Sequence, residues 1–251
     1  MVRVTASLLA ATVLTLLSMP GLADNESNSA DQDPWEGFNR RVFVFNDTLD
    51  QYLLRPAAKG YQFVTPELVE TGIGNVFSNL FEIRNVFNDV LQWKWKQAGN
   101  DGGRFLVNST LGVVGIFDLA QHIGMPRSDG EDFGQTLAVW GVQSGPYLVI
   151  PFLGPSTLRD GLVKPLDTMA DPVSYIDYVP TRNSSYGVRL VDDRAGLLKT
   201  EDLMSGDRYT FIRDAFLQRR DFVINDGVVA DDFGGAGDYD GSEYGDEYSD
   251  Y

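Results

Sequence analysis

The sequence predicts an all-α fold: one helical domain over residues 33–225, with an export signal before it and a disordered acidic tail after it. Three observations predict this. Apolar residues recur at spacings of three and four through most of the chain, the period of an amphipathic helix. Two of these runs open on a capping residue followed by proline, Asp33-Pro34 and Thr65-Pro66, as helix N-termini do. No long stretch alternates strictly between apolar and polar, and no Asn-Gly turn joins two such runs, so hairpins are not signalled.

The elements follow in order. Asp33 caps a first helix, with Pro34 in its first turn and Glu36 at the third helical position, the arrangement of a capping box. Phe38, Val42, Phe45 and Leu49 share one face, and Arg55-Pro56 ends the pattern. Thr65-Pro66-Glu67 starts a second helix, which Gly72 and Gly74 interrupt. From Asn75 a long amphipathic helix carries Val76, Leu80, Ile83, Phe87, Val90 and Leu91 and ends near Gly99. Asp101 is positioned to cap a third, with Arg104, Phe105, Asn108, Leu111 and Val114 along it. Asp171-Pro172 and Val179-Pro180 read as turns, Tyr186–Leu198 as a weak helix and Asp207–Val223 as a clearer one, with Tyr209, Ile212, Phe216 and Val223 on one face.

At the ends, Arg3, the apolar run Ser7–Met19 and the small residues Gly21-Leu22-Ala23 read as a secretory signal over residues 1–23. The mature chain is then expected to begin near Asp24 with a flexible lead over residues 24–32. Residues 226–251 hold nine acidic and no basic side chains among Gly and Tyr, too little apolar surface to order itself. Of the net charge of −16, this tail carries −9 and the leader +1, leaving −8 on residues 24–225. A basic patch for nucleic acid is missing.

Composition narrows the chemistry. With no cysteine, disulfides, thiolate nucleophiles, thiolate metal sites and a lipid-modified N-terminal cysteine are excluded. His122 is the one histidine, so a Ser-His-Asp triad or a multi-histidine metal site has too few members. Neither G-x-S-x-G nor a phosphate-cradling Gly-rich loop occurs. A hydrolase using paired carboxylates keeps abundant Asp and Glu but has no spacing signature. The expectation is a protein that is no enzyme and takes no cofactor.

Residues 133–158 contain 26 consecutive uncharged positions in a chain that is 22% charged. A bilayer-spanning helix needs about 20 apolar residues, but Gly141, Gly145, Pro146, Pro151, Gly154 and Pro155 break this stretch. Irregular backbone inside a membrane survives only beside protein or a wet cavity. Two readings stand: an unusual buried core, or a membrane-facing segment lining something. Trp93 and Trp95 beside Lys94 and Lys96 fit an interfacial belt or core filler.

The chain resembles the VacJ/MlaA family. The resemblance rests on DPWEGFNRRVFVFNDTLD (Asp33–Asp50), Arg55-Pro56, GNVFSNLFEIRNVFNDVLQ (Gly74–Gln92), RFLVNSTLGVVGIFDLA (Arg104–Ala120), FGQTLAVWGVQSGPYLVIPFLGPSTLRD (Phe133–Asp160), RAGLL (Arg194–Leu198) and YTFIRDAFLQRRDF (Tyr209–Phe222), in that order. It implies a ring-shaped helical domain with a central polar channel, lying in the inner leaflet of the outer membrane at its periplasmic face. Its implied partners are phospholipid, an outer-membrane porin trimer and a periplasmic lipid-binding protein that takes phospholipid removed from the outer leaflet. On this reading Phe45, Asn46, Arg104, Asn108, Arg159 and Asp160 are candidates for the passage, with Phe45-Asn46 matching the family's first-helix motif. Trp93, Trp95, Trp140, Tyr147 and Phe152 are candidates for the membrane belt. Family members usually carry a lipidated cysteine, so here the belt itself must anchor the protein. The alternative is a soluble periplasmic binding or scaffold protein.

Overall fold

A computed structural model of the chain describes residues 33–204 and 206–228. The predicted signal, the lead over residues 24–32 and nearly all of the acidic tail lie outside the described residues. The fold is all-α, with one two-stranded sheet.

Helix α1 spans Glu36–Leu49. Asp33 does not cap it. Its carboxylate accepts from the Asn39 amide at 2.7 Å and from the Tyr209 hydroxyl, pinning the start of α1 to the last helix of the chain. Nor does Arg55-Pro56 end this helical run. The chain widens into a π-turn over Asp50–Leu54 and continues as α2, Arg55–Val64, with Pro56 in its first turn. The wider turn absorbs a residue with no N–H to give.

Helix α3 runs unbroken over Glu67–Leu91, so Gly72 and Gly74 do not interrupt it. Gly72 lies close to the segment after α4: a Cβ there would sit 3.3 Å from Ile116 Cγ2, a tight contact. The chain reverses at Gln92-Trp93-Lys94, with Trp93 left-handed at φ 63°, before α4, Trp95–Thr110. Gly99 and Asp101 therefore lie inside α4 rather than at a break and a cap. Helices α3 and α4 are antiparallel: Asn79 donates to Ser109, and Arg104 to Glu82.

Short helices α5 (Leu119–His122) and α6 (Phe133–Val139) follow. Strands β1 (Tyr147–Ile150) and β2 (Gly154–Thr157) then pair antiparallel, Tyr147 opposite Thr157 and Ile150 opposite Gly154. The hairpin was unsignalled because its turn is Pro151-Phe152-Leu153, with Phe152 at φ 65°, instead of Asn-Gly. Helix α7 (Leu158–Ala170) starts at once, capped by Thr157 and holding Pro165 inside it. Asp171 turns the chain as read and caps a 3₁₀ turn, Pro172–Tyr175. Val179-Pro180 instead opens α8, Val179–Gly196. Helix α9, Arg208–Ile224, closes the fold. The described residues extend to 228, and Asp226 pairs with Lys94.

The interior is inverted. Among the described residues, 20 polar or charged side chains are buried against 11 apolar ones, whereas water-soluble domains bury chiefly apolar groups. The apolar cluster is small: Tyr147, Val149 and Tyr209, packed by Val42, Phe43, Phe216 and Leu217. Large apolar side chains lie outside instead, among them Tyr52, Phe63, Leu68 and Phe87. No described helix is long and apolar enough to cross a membrane.

Candidate functional site

The polar interior is built on one face of α3. Asn79, Glu82, Asn85, Asn88 and Asp89 recur at helical spacing and are buried, while Ile83, Phe87 and Val90 point outward. From α4, Arg104 reaches in. Its guanidinium donates to Glu82 at 2.8 Å, to the Met125 carbonyl at 2.6 Å and to both oxygens of Asp118 at 3.1 and 2.9 Å. Asn108 donates to Asp118 at 2.9 Å and accepts from the Ala120 amide at 2.9 Å. Burial pushes the Asp118 carboxyl up, but Arg104 and Asn108 outweigh it and hold it below the usual range. Arg104 and Asn108 thus fasten the segment at residues 118–125 to the α3–α4 pair.

Asp89 is buried, and its two carboxylate oxygens meet no hydrogen-bond donor among the described residues. Burial, with the charges of Asp101 and Glu131 adding to it, pushes its pKa up to about 8. At neutral pH it is mostly the uncharged acid. Nearby, Glu131 is gripped by Gln92 at 2.8 Å, Lys94 at 3.0 Å and Gln97 at 3.2 Å.

Asn46 and its helical neighbour Asn39, two turns earlier, hold the hairpin. Asn39 donates to the Tyr147 carbonyl at 3.0 Å and accepts from the Val149 amide at 2.9 Å. Asn46 does the same at Ile150 and Phe152, at 3.0 and 2.8 Å. Each side-chain amide thus takes the place of a neighbouring strand at the free edge of β1. Phe45 stands edge-on to Phe152, ring centres 5.2 Å apart.

Arg159 and Asp160 are both buried in an ion network. Arg220 donates to the two oxygens of Asp132 at 2.6 and 2.8 Å and lies 2.8 Å from Asp160, to which Arg159 also donates at 2.9 Å. Burial raises the Asp132 carboxyl, but Arg220 more than reverses it, to about 2. This network locks α6, α7 and α9 together. Arg159 also borders a 290 Å³ pocket with Ser144, Arg220 and Asp221.

On the exterior, Trp93 and Phe152 are each 75% exposed, and Trp95 and Trp140 are exposed too. Trp93 and Trp95 stack edge-on at 5.7 Å, and the Trp140 indole donates to the Leu91 carbonyl at 3.1 Å, so three tryptophans gather at the end of α3. Tyr147 is different. It is 1% exposed, in the apolar cluster with Tyr209, because its strand face is turned inward; it is no belt residue. The uncharged stretch at 133–158 is thus split, with Gly134–Leu137, Tyr147 and Val149 inside and Trp140, Phe152 and Leu153 outside.

A cavity of about 1280 Å³ lies between the first turns of α3, residues 116–122 and the first half of α8. Its wall is apolar, with Leu68, Val69, Ile73, Phe77 and Val188. A polar group sits at Asn75, Asp118, His122 and Arg127. Arg127 donates to Asn75 at 3.3 Å and to Asp118 at 3.4 Å, and the His122 ring meets the Asp118 carbonyl at 3.0 Å. Thr181 and Ser184 line the α8 side. None of the six predicted passage residues lines this cavity. Arg127 went unnoticed for want of a motif. Asn39 was legible in principle, since seven residues separate it from Asn46 on the same helical face. Among the described residues, no group of three or more His, Asp or Glu side chains can hold a metal ion.

A polar interior, an apolar exterior and a wide apolar-walled cleft set this helical protein apart from an ordinary water-soluble domain. The comparisons with known proteins give its family. The family model for MlaA lipoprotein matches residues 31–223. The chain is 33% identical over 232 residues to the intermembrane phospholipid transport system lipoprotein MlaA of Escherichia coli K12, covering 90% of each. It is 37% identical over 196 residues to an uncharacterised protein of Rickettsia conorii, covering 76% of this chain and 78% of that one. A solved structure described as the structural basis for maintenance of bacterial outer membrane lipid asymmetry superimposes with a TM-score of 0.68 at 36% identity, over 77% of this chain and 99% of the other. The chain belongs to the MlaA lipoprotein family.

Proposed function

We propose that this protein removes misplaced phospholipid from the outer leaflet of the outer membrane and hands it to a periplasmic lipid carrier. The observation that carries this reading is the inverted interior. Buried polar side chains outnumber buried apolar ones, and the exposed apolar ones are stabilised by leaving water for hydrocarbon or a partner's apolar surface. The names of its relatives support the same role.

In this reading the domain forms a ring in the inner leaflet, seated on a porin trimer at the periplasmic face after export by residues 1–23. Trp93, Trp95, Trp140 and Phe152 anchor it without a lipidated cysteine; one acyl chain gives only marginal binding in any case. A polar channel lets the headgroup cross. Asn46 and Phe45 fix the hairpin beside it, and Arg104, Asn108, Arg159 and Asp160 hold its walls in place. No bond is broken and no cofactor takes part.

Deleting the gene is expected to leave more phospholipid accessible to an externally added phospholipase and to sensitise cells to detergent. Unchanged outer-leaflet phospholipid, or recovery of the mature protein wholly in the soluble periplasm, would overturn the reading.

A further inference from the structure

We propose that the cleft between α3 and α8 seats a single phospholipid, with its phosphate on the Arg127 guanidinium and its acyl chains along Leu68, Val69 and Ile73. The inference deepens the transport reading and rests on it.

Size comes first. At about 1280 Å³ the cleft exceeds the roughly 300–1,000 Å³ of ordinary small-molecule sites. It suits a two-chain amphiphile better than a metabolite. Shape and polarity follow. From Asn75 back to Leu68 the α3 wall extends two helical turns, about 10 Å, and is apolar along the side chains that line it except at Thr71. Leu68 and Val69 are exposed in the open cleft, a liability that acyl chains would remove.

The polar group supplies the headgroup contact. Arg127 is half exposed, and its two contacts, at 3.3 and 3.4 Å, both use one nitrogen, Nη2, and are long. Its other nitrogens have no partner among the described residues. A guanidinium keeps its charge at every physiological pH and offers paired donors that match phosphate oxygens. Asp118, the carboxylate beside it, is shared: both of its oxygens accept from Arg104 Nη2, and one also accepts from Asn108, so Arg127 does not hold it alone. The hydroxyls of Thr181 and Ser184, on the opposite side, suit the ester and glycerol oxygens between phosphate and chains.

The test uses the purified mature protein in detergent, incubated with vesicles of phosphatidylglycerol and phosphatidylethanolamine or with diacylglycerol, which lacks the phosphate. Native mass spectrometry counts the lipid retained, and circular dichroism checks folding. One phospholipid per chain is expected. Arg127→Gln is expected to lower phospholipid affinity about tenfold, the size of one charge-assisted contact, and to leave diacylglycerol binding unchanged; Arg127→Lys should recover part of the loss. Val69→Trp, at a half-exposed position where folding is safe, is expected to displace both lipids. If Val69→Trp displaces both and Arg127→Gln changes nothing, the headgroup assignment is wrong. If neither variant changes retention, the cleft is not the seat. Either result leaves the transport reading to be judged separately by the outer-leaflet assay on the deletion strain.

Discussion

Asn46 and Phe152 are joined at the tip of the hairpin: the side-chain Oδ1 of Asn46 accepts the Phe152 amide at 2.8 Å. Its own amide donates to Ile150 at 3.0 Å. Asn46→Ala strands one backbone group at the end of β1 and one in the turn, and is expected to cost about 1 kcal/mol, since the tip is wet and water replaces part of the loss. Hydrogen exchange at residues 150–154 should accelerate, while exchange in α3 should not change.

Arg104 carries a heavier load. It is 1% exposed and satisfies two carboxylates and a carbonyl. Arg104→Ala leaves Glu82 and Asp118 without their cation and is expected to destabilise by about 3–5 kcal/mol. Arg104→Lys should rescue little, because an ammonium on a flexible stem cannot reach three partners in one plane. Chemical denaturation in detergent reads both.

Asp89 sets a pH dependence. Its pKa is about 8 in the folded protein against an ordinary 3.8, burial being the main cause, with Asp101 and Glu131 next and Lys94 opposing. Between those values the folded state holds a proton that the unfolded state releases, so this group's contribution makes stability fall as pH rises from about 4 to about 8. Asp89→Asn is neutral throughout and the same size. It should raise Tm at pH 9 by several degrees and leave it unchanged at pH 4, as thermal melts would show.

The exposed aromatic tips should govern membrane residence. Fully burying one large apolar side chain gains about 1.5–3 kcal/mol. Trp93→Ser and Phe152→Ser are each expected to weaken association with lipid vesicles about tenfold, read by flotation. Tyr147→Phe should leave it unchanged, because Tyr147 lies inside the fold.

Much of the fold was legible because period shows through burial in either direction. The spacing of Val76, Leu80, Ile83 and Phe87 marked α3 whether that face looked inward or out. Gly72 was misread as a break because glycine in a helix usually weakens it; here it admits Ile116, a tertiary fact. The hairpin was illegible because Asn39 and Asn46 supply its missing neighbour from a helix 104–108 residues earlier. The passage candidates rest on the family resemblance, Phe45-Asn46 through its first-helix motif and Arg159-Asp160 through their place at the end of the uncharged stretch. Arg104, Asn108, Arg159 and Asp160 are buried in hydrogen-bond and ion networks, whereas Arg127, which no motif marks, keeps two of its three nitrogens without a partner among the described residues.

The inverted interior also shapes how this protein responds to temperature. The heat capacity of unfolding rises with apolar area newly hydrated and falls with polar area. Here the greasy groups already lie outside, and melting chiefly wets amides and carboxylates. The increment per residue should therefore be small and the free-energy curve shallow, so that cooling loosens the folded chain far less than it does an ordinary water-soluble domain.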